Sequence, residues 1–91
     1  QGAYELAQRG FVPGGTKRNM DYVSSYVNFS KTLSKEQQYL LADAQTSGGL
    51  LISVAKEKVQ DLQSLLNENG CLTNSIIGNV NNPAEFSIYV D

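Results

Sequence analysis

The sequence predicts a small α+β domain in which helices cover a small mixed β-sheet, and three patterns carry that reading. Val59, Leu62, Leu65 and Leu66 recur at helical spacing, Leu50-Leu51-Ile52-Ser53-Val54 is a continuous apolar run of strand length, and Phe86, Ile88 and Val90 alternate with Ser87 and Tyr89. At 91 residues and 9.9 kDa the chain holds one domain at most, taken as residues 1–91. A domain this small buries only about 60–65% of the surface its unfolded chain exposes, so its size alone points to a partner.

Taken in order, Ala3 to Arg9 carries Tyr4, Leu6 and Ala7 on a short helical face, and Gly10 stands where a C-terminal cap belongs. It reads as the end of an element begun upstream, and a start at Gln1 without Met reads as a piece of something longer. Phe11 to Asn19 is predicted to be a backbone-permissive loop, with Thr16 capping a helix through Asp21 and Tyr22. Tyr22 to Phe29 then passes into an extended piece. Ser34 followed by Gln37 has the spacing of a capping box, which places a helix at about 34–42. Asp43 to Gly49 is a polar loop that feeds Leu50–Val54, read as a buried strand. A helix follows over Lys56 to Asn69, with Gly70 as its cap. Ile76, Ile77 and Val80 then predict a strand, Asn81-Asn82-Pro83 a turn, and Phe86 to Val90 a last strand whose edge is open to pairing.

Composition removes whole classes of function. Seven Lys and Arg against nine Asp and Glu give a net charge of −2, without the basic excess that phosphate-backbone binding needs, so nucleic acid is not an expected partner. The apolar runs fall far short of the roughly 18 residues of a membrane span, so no membrane partner is expected and the chain reads as soluble. With no histidine, the Ser-His-Asp and Cys-His devices and every His-ligated metal site are excluded. Cys71 is the one cysteine; it reads as a small buried residue past a helix end, and a chain without disulfides fits a reducing, cytoplasmic setting.

Two glycine-bearing polar segments remain, at 13–19 and 43–49, each able to offer main-chain N–H groups beside hydroxyl and amide side chains. Such a pair resembles a phosphate-facing rim, although by composition alone a tight turn into a strand or helix is the commoner reason for glycines of this kind. Neither segment is a P-loop, since Gly14-Gly15-Thr16-Lys17 lacks the spacing and the second segment has no Lys. Asp43 is the single carboxylate in either, so a metal would need ligands from elsewhere, and no metal site or catalytic set is assigned to this chain. Lys17 and Arg18 could meet phosphate or stand on a solvated face.

Val12-Pro13-Gly14-Gly15-Thr16-Lys17-Arg18-Asn19 resembles the GGTxRN segment of the selenophosphate synthetases, also called selenide, water dikinases. Asp43-Ala44-Gln45-Thr46-Ser47-Gly48-Gly49-Leu50-Leu51 resembles that family's DPQTSGGLL segment, with Ala44 in place of the usual Pro, and Ile77-Gly78-Asn79-Val80 is similar to its IGxV. The resemblance spans about Tyr4 to Val90 and implies part of the C-terminal domain of an enzyme of the aminoimidazole ribonucleotide synthetase-like superfamily. That enzyme makes selenophosphate from selenide, ATP and water, releases AMP and phosphate, requires Mg2+, and usually forms homodimers. The resemblance further implies that an N-terminal ATP-binding domain and the catalytic Cys or selenocysteine lie upstream. This chain alone is then expected to be inactive and to hold neither ATP nor Mg2+ tightly. The residues it carries over as site-lining candidates are Gly14, Gly15, Thr16 and Asn19, with Asp43, Gln45, Thr46, Ser47, Gly48 and Gly49.

Two other readings compete. A non-catalytic binding or dimerisation module would account for the small core and the open sheet edge, and a related purine-pathway synthetase would share the architecture. The Gln45-Thr46-Ser47-Gly48-Gly49 string favours the selenium enzyme over the latter.

Overall fold

The computed structural model describes residues 2–44 and 48–91. Two compact units divide the chain, the first made of the residues up to Gly48 together with Pro83–Asp91 and the second of Gly49–Asn82. The first unit holds α1 (Ala3–Gln8), α2 (Gly14–Val23), β1 (Val27–Phe29), α3 (Lys35–Leu41) and β2 (Ile88–Val90). The second holds a 3-10 turn (Lys56–Lys58) that runs into α4 (Val59–Glu68).

The α+β class of the sequence reading is thus the class observed, with a sheet smaller and simpler than expected. It consists of two strands, β1 and β2, paired parallel with Val27 opposite Ile88, Asn28 opposite Tyr89 and Phe29 opposite Val90. The expected mixed sheet is therefore corrected to a parallel pair among the described residues. Main-chain bonds extend the ladder at both ends, from Ile88 to Tyr26 at 3.1 Å and from Ser30 to Val90 at 2.7 Å.

Local chemistry sets the helix ends. In α3 the Ser34 hydroxyl accepts from the Gln37 N–H at 3.3 Å, while Gln37 Oε1 accepts from the Ser34 N–H at 2.7 Å, so the capping box read from the sequence forms as expected. Helix α1 ends at Gly10, whose φ of +86° lets its N–H reach Ala7 O at 2.9 Å and the Phe11 N–H reach Leu6 O at 3.0 Å. Helix α4 ends in the same way: Gly70 at φ +71° bonds Asn67 O at 3.0 Å, and Cys71 bonds Leu66 O at 2.9 Å. Cys71 itself is exposed, which corrects its reading as a buried residue.

Other expectations are corrected as well. Residues 14–19 are not loop but the first two turns of α2, because Pro13 can precede a helix without breaking it and Thr16 to Val23 offers no later breaker. Thr16 therefore lies inside the helix and caps nothing. Leu50–Val54 and Ile76–Val80 form no strand, and their side chains stand in solvent, with Leu50 91% and Val80 86% exposed. A strand needs a neighbouring backbone to satisfy its N–H and C=O groups, and neither segment finds one among the described residues. The last strand is Ile88–Val90 only, since Phe86 and Ser87 bend ahead of it.

Helices α1 and α2 both pack on α3. Tyr4 lays its hydroxyl 3.5 Å from Ser34 Oγ, and Gln38 Nε2 donates to Leu33 O at 3.1 Å. The interior of this unit is small, with Ala7 and Thr16 its buried residues among those described.

Candidate functional site

Helix α2 opens on Gly14 and Gly15 with no side-chain cap from Pro13, so its first-turn N–H groups are left to other partners. A helix start of this kind favours negative charge. The Arg18 side chain folds back over the same two residues: a Cβ built on Gly14 would lie 3.6 Å from one guanidinium nitrogen, and one on Gly15 4.0 Å from the other. Neither contact forbids a side chain, so glycine at these positions leaves open space and not a forced backbone turn.

One turn further on, the helix meets the end of α3. Thr16 is 2% exposed, and its hydroxyl donates to Asp43 Oδ1. Asn19, three residues later on the same helical face, donates from Nδ2 to Ala42 O at 2.9 Å. Ala42 is the C-cap of α3, so Asn19 satisfies one of the carbonyls that a helix end leaves open. Thr16 and Asp43 sit at one side of a cleft of about 120 Å³ walled by Leu6, Phe11, Pro13 and Leu40. A second, open cleft beside it gathers Lys17, Asp21, Lys35 and Tyr39, where the Lys35 ammonium lies 5.6 Å from the centre of the Tyr39 ring.

Of the ten predicted site residues, the structure brings Gly14, Gly15, Thr16, Asn19 and Asp43 to one place, where α2 begins and α3 ends. The Asp43 carboxylate is half-buried and accepts from Thr16. Gly48 is exposed in irregular backbone, and Gly49 is exposed as well, with nothing within 4 Å of a Cβ placed there. Gln45, Thr46 and Ser47 lie outside the described residues. Sequence reading missed Ala42, whose role comes from its main-chain carbonyl and leaves no signature in side-chain type. It also missed the pairing of Thr16 with Asp43, which are 27 positions apart.

Magnesium prefers an octahedron of oxygens and keeps several waters. Among the described residues no three His, Cys, Asp or Glu side chains gather into a metal-holding group, and the carboxylate at the cluster already accepts a hydrogen bond. The described residues do not by themselves make a magnesium site. No helix among them is long and apolar enough to cross a membrane.

Comparison with known proteins decides the resemblance. The chain is 44% identical over 90 residues to a selenide, water dikinase of Caldanaerobacter subterraneus, an alignment that takes in 99% of this chain and 26% of that protein. The chain is related to the selenide, water dikinases. It is 44% identical over 80 residues to the enzyme of that name from Clostridioides difficile, covering 88% of this chain and 23% of the relative. A selenide, water dikinase 2 of Peptoclostridium acidaminophilum is 39% identical over 88 residues, covering 97% and 25%. The chain thus spans about a quarter of the length of the curated relatives it matches. No family model matches the chain, and no solved structure does.

Proposed function

We propose that this chain is part of the C-terminal domain of a selenide, water dikinase, a cytoplasmic enzyme that makes selenophosphate from selenide, ATP and water and releases AMP and phosphate. The observation that carries the reading is the 44% identity along 99% of the chain to a protein of that name. The Thr16–Asp43 hydrogen bond supports it, because it joins the two segments on which the resemblance rests.

In this reading the two segments face an N-terminal ATP-binding domain and line one wall of its site. Gly14 and Gly15 offer main-chain N–H groups at the start of α2, with Arg18 beside them, and Gln45, Thr46, Ser47, Gly48 and Gly49 continue the wall. Donors of this type stabilise negative charge on phosphate or on an intermediate without needing to reorganise, and a wall that excludes water strengthens them. Mg2+ belongs to the parent enzyme, held by phosphates and by residues outside this chain. The parent forms a homodimer, and the chain alone is inactive.

The test is made in the full-length enzyme, by measuring selenide-dependent AMP formation after Thr46→Ala and Ser47→Ala. Both lower turnover while the melting temperature stays within a degree or two of the parent's. Parental turnover in both variants rules out the lining role. The reading as a binding or dimerisation module draws on one observation, the exposure of Leu50, Leu51, Leu72, Ile77 and Val80, which an enzyme domain separated from its partner domain explains equally.

A further inference from the structure

We propose that Thr16 and Asn19 are positioning residues that fasten the end of α3 to α2. The inference rests on the functional reading above and revises the part these two residues play in it.

A hydroxyl has one proton to donate, and that of Thr16 goes to Asp43 Oδ1. At 2% exposure the side chain shows little surface to a ligand arriving from solvent, although it borders the cleft beside Leu6 and Phe11. The Asn19 amide commits a donor to Ala42 O at 2.9 Å. The two bonds leave one helical face three residues apart and land on consecutive residues, 42 and 43. Two anchors on adjacent residues fix position and direction together, where a single bond would leave the chain free to swivel. The first glycine motif thus sets where Asp43, the opening residue of the second, is held. Among the described residues no side chain caps the Gly14 and Gly15 N–H groups, so motif residues divide the work: the helix start carries no such cap, and one turn on the helix is tied down.

The experiment uses a full-length selenide, water dikinase containing this chain, with kcat and the KM for ATP measured through selenide-dependent AMP formation. Misplacing a catalytic wall by about 1 Å costs on the order of 100-fold in rate. Thr16→Val, which keeps the shape and removes the donor, is therefore expected to lower kcat by roughly 10- to 100-fold with the KM for ATP within about twofold. Thr16→Ser restores kcat to within about threefold. Should Thr16→Val fail to fold, Asn19→Ala, at an exposed position, gives the same split with a smaller loss. A raised KM at parental kcat would make Thr16 a ligand contact and overturn the proposal, as would parental kcat in Thr16→Val and Asn19→Ala together. If Thr46→Ala and Ser47→Ala leave turnover intact while Thr16→Val does not, the lining role fails and the fastening stands. If the parent forms no AMP from ATP and selenide, amide exchange at Ala42 and Asp43 decides: faster in Thr16→Val and unchanged in Thr16→Ser supports the fastening, and equal rates in all three overturn it.

Discussion

The unit that holds both ends of the Thr16–Asp43 bond and the unit formed by Gly49–Asn82 use the same local devices with different outcomes. Each has a helix closed by a glycine at positive φ with paired bonds from the next two N–H groups, at Gly10 in one and Gly70 in the other. In the first unit the helices then find each other, through Tyr4 and Ser34, Thr16 and Asp43, and Asn19 and Ala42. In the second, among the described residues, α4 bonds only to its immediate neighbours in sequence: Lys58 in the turn before it pairs with Asp61 at 3.4 Å, and Gln63 Nε2 donates to Asn74 O in the segment after it at 2.9 Å, while Leu72 stands fully exposed. Helices are specified by neighbours in sequence and form wherever their caps are present. Strands and cores need neighbours in space, and this 34-residue unit leaves Leu50, Leu51, Leu72, Ile77 and Val80 in water while Val59, Leu62 and Leu66 are only half-buried.

The contrast yields predictions of decreasing size. Thr16→Val in the 91-residue chain should lower stability by about 1–3 kcal/mol, the worth of a hydrogen bond to a half-buried carboxylate, read as a shift in the urea midpoint. Gly10→Val and Gly70→Val should each cost roughly 1–2 kcal/mol, because both positions hold the left-handed conformation that a Cβ disfavours. Equal losses show the two helix ends to be independent local codes, whereas a negligible loss at Gly70 would mean that α4 is unfolded in solution. Ser34→Ala should remove about 1 kcal/mol by breaking the capping box of α3. Leu51→Ser, at a residue 81% exposed, should change stability by less than about 0.5 kcal/mol. It should also weaken concentration-dependent self-association in sedimentation experiments, and a large stability loss there would reveal a buried strand at 50–54.

What the sequence made legible follows the same division. The capping box at Ser34 and Gln37, the glycine ends at Gly10 and Gly70 and the helix through Leu62 and Leu65 depend on residues within a few positions of each other, and all are present. The apolar pattern of Leu50–Val54 reads as a strand because pattern records what a segment would bury, and it cannot supply the strand beside it. Helix α2 was hidden because the glycines at its start look like a loop, although a helix start tolerates residues that its interior does not. At the candidate site the residue types were visible in two separate segments. Their meeting was not, since a Thr and an Asp 27 positions apart carry no local signal of each other.

The central claim is that the two glycine segments are physically joined through Thr16 and Asp43, and a double-mutant cycle tests it most directly. Urea unfolding of the parent chain, Thr16→Val, Asp43→Ala and the double variant measures how far the two losses fail to add. The account predicts a coupling of about 1 kcal/mol or more, with the double variant hardly less stable than the worse single one. Losses that add within error would show that Thr16 and Asp43 act independently, and the joined site described here would not exist.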